Sequence, residues 1–78
     1  MTAAEATQKT MWNNIPYDIR RGIERSIENG RHYYIGVPKK EMETYYGRYT
    51  LEYILEKLGY SLEICGPDSD QYYEIRWD

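Results

Sequence analysis

The sequence predicts an α+β domain of order α-β-(α)-α-β-β, with three strands in one antiparallel sheet of order 2-3-1 and the helices on one face. Three observations carry that expectation. Ile15, Ile19, Ile23 and Ile27 recur every fourth residue, the spacing of an apolar stripe along one side of an α-helix. Leu51, Ile54, Leu55 and Leu58 repeat the helical pattern later in the chain. Three short runs, residues 31–37, 60–65 and 72–77, alternate side chains in the way of half-buried strands.

Taken in order, residues 1–10 (MTAAEATQKT) are small and polar, with no apolar stripe. They read as a frayed lead-in to a single domain spanning 1–78. Asn13 or Asn14 can cap the first helix, and Pro16 suits its first turn, where a missing N–H costs nothing. Asp18 near its start and Arg25 near its end agree with the helix macrodipole, and Asn29-Gly30 stops it. In the first strand Tyr33, Ile35 and Val37 point one way, and His32, Tyr34 and Gly36 the other. Pro38 closes that strand because it cannot donate to a ladder. In residues 39–49, Met42, Tyr45, Tyr46 and Tyr49 have helical spacing and Gly47 interrupts them, which predicts a short helix stopping near Gly47. Thr50 caps the second main helix and Gly59 follows its last turn. The last two strands flank the turn cluster Gly66-Pro67-Asp68-Ser69-Asp70 and form a hairpin. A right-handed crossover from the first strand to the second leaves room between them for the third. The expected core is Ile19, Ile23, Ile35, Leu51, Ile54, Leu55, Leu58, Ile64, Ile75 and Trp77.

Composition narrows the function. Phenylalanine is absent and there are ten tyrosines, so tyrosine must complete the core with its hydroxyls partnered. The single cysteine rules out an internal disulfide, and a small domain without bridges fits a reducing, cytoplasmic setting. No basic-then-apolar stretch opens the chain and no apolar run approaches about 20 residues, so neither a signal peptide nor membrane contact is expected. The net charge of −3 hides a division: residues 1–40 hold seven cationic side chains against four anionic, and residues 41–78 hold three against nine. Such a dipolar chain can steer a charged partner.

Little in the chain can do chemistry. Nucleophilic catalysis needs a nucleophile, a base and an orienting group, and the only His and Cys, His32 and Cys65, fall on different strands. A zinc site needs about four ligands. Asp68-Ser69-Asp70 opens like a calcium loop but lacks the Gly and the bidentate Glu that complete one. The six glycines are too dispersed for a phosphate loop. No enzymatic activity, cofactor or metal is expected.

Tyrosine is the residue type that stands out. With helices on one face only, Tyr34, Tyr72 and Arg76 are expected on the open face of the sheet. Tyr45, Tyr46 and Tyr49 form a second candidate contact, since Tyr and Arg dominate interface energetics. The leading expectation is a small non-enzymatic protein-binding module. One alternative is a nucleic-acid-binding protein using the tyrosine face or the arginines of the first helix (Arg20, Arg21, Arg25, with Arg31), although Glu24 and Glu28 are expected to pair with those arginines. The other is a homo-oligomeric structural protein, at its simplest a homodimer.

An Ile-rich helix ending in ENG, a short strand, LEYILEKLGY and a strand pair closing on IRW together resemble small accessory proteins encoded by bacteriophages and other mobile elements. The resemblance covers most of residues 15–77. It implies a host-directed inhibitory protein and assigns no residue a role.

Overall fold

Four helices and five strands make up the computed structural model, which describes residues 1–78: α1 (Ala3–Asn14), α2 (Tyr17–Glu28), β1 (Tyr33–Pro38), α3 (Lys39–Met42), β2 (Tyr45–Tyr46), β3 (Tyr49–Thr50), α4 (Leu51–Lys57), β4 (Ser61–Cys65) and β5 (Tyr72–Arg76). The class is α+β. The order 2-3-1 expected of three strands does not carry over as a number, because five strands form two sheets. Antiparallel β1-β5-β4 is the larger, and a separate two-stranded ribbon, β2-β3, lies between α3 and α4.

Residues 3–10 are helical, not frayed. A capping box explains why: Thr2 Oγ1 accepts from the Glu5 N–H at 3.1 Å, and the Glu5 carboxylate accepts from the Thr2 N–H at 3.3 Å. No residue of α1 is buried; Met11 and Trp12 at its far end rest partly on the core. Asn13 and Asn14 therefore end α1 and do not cap the next helix. Ile15 turns the chain in extended conformation, fully buried, and Pro16 occupies the cap position of α2.

Both main helices end in the same hydrogen-bond pattern. After α2, Gly30 N–H donates to Ile27 O and Arg31 N–H to Ser26 O; after α4, Gly59 N–H donates to Glu56 O and Tyr60 N–H to Leu55 O. These are paired Schellman bonds, which satisfy carbonyls that a helix end otherwise leaves bare. Thr50 caps α4 as expected, its hydroxyl accepting from the Tyr53 N–H at 3.2 Å.

Residues 39–49 depart from a helix reaching toward Gly47. Helix α3 is a single turn, and the chain then reverses through Gly47-Arg48, with Tyr46 opposite Tyr49 and Tyr45 opposite Thr50. Gly47 has φ +73° while Arg48 does not enter the positive region, the signature of a type II′ hairpin turn. Met42, Tyr45, Tyr46 and Tyr49 consequently share no helical face.

The larger departure is in β1. Tyr34 pairs with Ile75 and Val37 with Tyr73, so the register slips by one residue between Ile35 and Val37. The extra residue is Gly36, at φ +111°, a conformation that side chains avoid and that a β-bulge can require. Simple alternation would have placed Tyr33, Ile35 and Val37 together. The bulge instead turns Tyr34 and Val37 toward the helices and leaves Tyr33 and Ile35 on the opposite face.

Helices α2 and α4 both cover the face that carries Val37, Tyr73 and Ile75. The core is Ile15, Ile19, Ile23, Val37, Met42, Leu51, Ile54, Leu55, Tyr73 and Ile75. Four expected core members are displaced: Ile35 and Ile64 are each 46% exposed, and Leu58 and Trp77 are half-buried. Ile27, the last of the isoleucine stripe, is 56% exposed.

Candidate functional site

Strand pairing defines the open face of the sheet row by row. Tyr33, Arg76 and Ser61 make one row; Ile35, Glu74 and Glu63 the next; Pro38, Tyr72 and Cys65 the third. No residue of these rows is buried. Tyr72 and Arg76 thus lie where the sequence placed them, although Glu74 separates them. Tyr34 does not. Its ring lies against α2 over Gly22, where a Cβ would come within 2.8 Å of the Tyr34 hydroxyl oxygen. Tyr33 takes its place on the open face, beside Arg76. The signal that could have found this exchange was Gly36 inside a strand, which marks a bulge or a close approach.

At the centre of this face Glu63 and Glu74 are directly opposed. Like charges in that position destabilise a sheet. Arg76 does not bridge them; it pairs with Asp78 at 3.6 Å.

The tyrosines of the ribbon form a separate cluster. Tyr45 is 69% exposed. Tyr49 stacks on Tyr53 with ring centroids 4.5 Å apart, and Lys57 Nζ lies 5.4 Å from the Tyr53 centroid. Tyr46 is structural in its contacts: its hydroxyl donates to Glu41 Oε1 at 2.7 Å. That bond to a carboxylate, with burial and the nearby negative charge of Glu41 and Asp18, pushes the hydroxyl pKa up to about 12. Burial raises Tyr60 and Tyr73 as well, with Glu52, Glu43 and Glu56 adding to the effect at Tyr73.

A third surface lies between α2 and the outer edge of β1. This groove of about 600 Å3 is lined by Arg21, Arg25 and Arg31, with Asp18 as its one acidic group. The expected pairing of the arginines is almost absent: Arg21 and Glu24 approach to 4.0 Å, both well exposed, and Arg25 and Arg31 make no ion pair. Arg20 points elsewhere, donating to Ile15 O at 3.0 Å and lying over the Tyr17 ring.

The only His and the only Cys do not come together. His32 precedes β1 and Cys65 ends β4, opposite edges of the sheet with β5 between them. No three His, Cys, Asp or Glu side chains cluster as metal ligands, and no helix is long and apolar enough to cross a membrane. No family model matches the chain, and neither a curated protein nor a solved structure matches it.

Proposed function

We propose that this chain is a non-enzymatic protein-binding module whose contact surface is the open face of the β1-β5-β4 sheet. The observation that carries the reading is the exposure of Tyr33 and Ile35, at 40% and 46%, beside Tyr72 and Arg76 on a sheet face that no helix covers. Large apolar groups grouped on a bare face, with Arg among them, have the composition of an interface centre. The opposed Glu63 and Glu74 support it further, because a cation from a partner would relieve a repulsion that the chain alone leaves in place. Its action is to occupy a partner protein's surface, in the manner of an inhibitor encoded by a bacteriophage or mobile element.

The double change Tyr72→Ala with Arg76→Ala tests this. Truncating a central interface residue costs at least ~2 kcal/mol, about thirtyfold in affinity, whereas exposed residues contribute little to folding. Capture from lysate followed by cross-linking should show the contacted protein lost while the melting temperature holds. An early-melting variant would make the two residues structural and remove the proposal's support. Recovery that disappears with nuclease would point to nucleic acid instead, and concentration-dependent sedimentation to self-association.

A further inference from the structure

The groove between α2 and β1 holds a charge arrangement that the fold does not use. Helix α2 runs back along β1: Gly22 packs against Tyr34, Asp18 and Gly36 line one hollow at one end, and Asn29 and Arg31 line the groove at the other. Arg21 and Arg25 stand one turn apart on the wall of the groove, a spacing at which like charges repel. Arg31 adds a third cation at its mouth. Of the three only Arg21 has a carboxylate at ion-pair distance, Glu24 at 4.0 Å, and Asp18 is the one acidic residue of the lining, so three cations are left facing a single carboxylate in the groove.

The other wall is an open sheet edge. Strand β1 has β5 on one side and no strand on the other. Trp77 N–H donates to His32 O at 3.1 Å, which sets the alternation of the ladder. Tyr34 therefore turns its peptide groups to β5, and those of Tyr33 and Ile35 face outward, along the groove. Beyond Ile35 the bulge at Gly36 and then Pro38 end the usable edge.

From these two walls we infer that the groove takes an extended acidic peptide segment of another protein, added to β1 as an edge strand with its carboxylates toward Arg21, Arg25 and Arg31. Peptide hydrogen bonds to Tyr33 and Ile35 supply the register, and the guanidinium forks, which match carboxylates two bonds at a time, supply the selectivity. A two-residue repeat of the added strand, about 6.6–6.8 Å, is close to the rise of one helical turn between Arg21 and Arg25, about 6 Å. Acidic side chains at alternate positions would thus meet the two arginines in turn. Outward peptide groups at strand spacing favour a peptide over nucleic acid, whose backbone does not reproduce that pattern of donors and acceptors. The inference does not rest on the open sheet face being the principal contact.

The test uses the full chain and synthetic probes of about eight residues, a common strand length: one alternating Glu with Val, one with Lys replacing Glu, and one N-methylated at the residues meant to pair with β1. Oligothymidylate is the fourth probe. Backbone amide NMR should show the Glu peptide shifting Tyr33 and Ile35 and slowing their hydrogen exchange, with neither the Lys nor the N-methylated peptide binding. Arg25→Gln with Arg31→Gln should weaken the Glu peptide at least about tenfold and leave the melting temperature unchanged, since both side chains are exposed. Equal binding of the Glu and Lys peptides would overturn the inference, as would equal binding of the N-methylated peptide or shifts confined to residues outside the groove. Oligothymidylate binding without a response to the Glu peptide would overturn it in favour of a nucleic-acid groove. Wild-type affinity in the folded double variant would remove the arginines' role and the inference with it.

Discussion

Tyr46 shows how one hydroxyl can tie stability to pH. Unfolded, it titrates near its ordinary 10.0; folded, donating to Glu41, it titrates at about 12. The folded state keeps the proton longer, so the contribution of this bond is whole below pH 10 and is lost as the pH climbs through about 12. Tyr60 and Tyr73 shift in the same direction, so their contributions too are lost as the pH rises beyond the ordinary tyrosine value. Tyr46→Phe should cost about 1 kcal/mol at neutral pH and flatten the decline above pH 10, as followed by denaturant titration at a series of pH values. A variant that declines as steeply as the parent would separate Tyr46 from the alkaline transition. Gly22 is the other residue whose chemistry reaches beyond itself. Alanine is the better helix former by about 1 kcal/mol, but here its methyl would meet the Tyr34 ring. Gly22→Ala should therefore destabilise by about 1–2 kcal/mol, and the same change in a Tyr34→Ala background should stabilise. A double-mutant cycle measures this reversal directly, and additivity would mean that the ring is not what holds glycine at position 22.

At the level of elements, legibility followed local chemistry. The stops after α2 and α4 and the Thr50 cap could be read because each depends on residues adjacent in sequence. The helix over residues 3–14 and the β2-β3 ribbon had local signatures too: Thr2 three residues before Glu5, and Gly-Arg between Tyr-Tyr and Tyr-Thr. In both places a stronger pattern masked them, namely the absence of an apolar stripe and a helical spacing of tyrosines. The bulge in β1 has Gly36 as its one local mark, which signals an irregularity but not its register. Its register depends on pairing with β5, some 40 residues away in the chain, so alternation within β1 could not reveal it. The candidate site inherited that error directly. Alternation puts Tyr72 and Arg76 on the open face because β5 is regular, and it fails for Tyr34 because β1 is not. Helical spacing brings Glu24 and Glu28 near the groove arginines, so ion pairs are expected there from sequence; only the geometry shows Arg25 and Arg31 without one.

Over the whole molecule, ten side chains make the core, and Leu55 is among those with no exposed surface. Leu→Ala at a fully buried site costs ~2–5 kcal/mol, against roughly 5–10 kcal/mol in total for a domain of this size. Leu55→Ala should lower the melting temperature by roughly 10–25 °C; an unchanged transition would remove α4 from the cooperative core. Size is also the constraint that gives the bulge its wider meaning. A domain of 78 residues has few large apolar groups to divide between holding itself together and meeting something else. A strand in strict alternation commits one parity of its residues to the interior and the other to water. With one residue inserted at Gly36, β1 changes parity midway, so Tyr34 and Val37 serve the interior while Tyr33 and Ile35 stay outside. The outward surface is therefore set by the backbone at Gly36 as much as by the letters around it: the same residues in strict alternation would carry Tyr33 and Ile35 to the side of Val37, and only the extra residue lets Val37 turn inward while those two stay out.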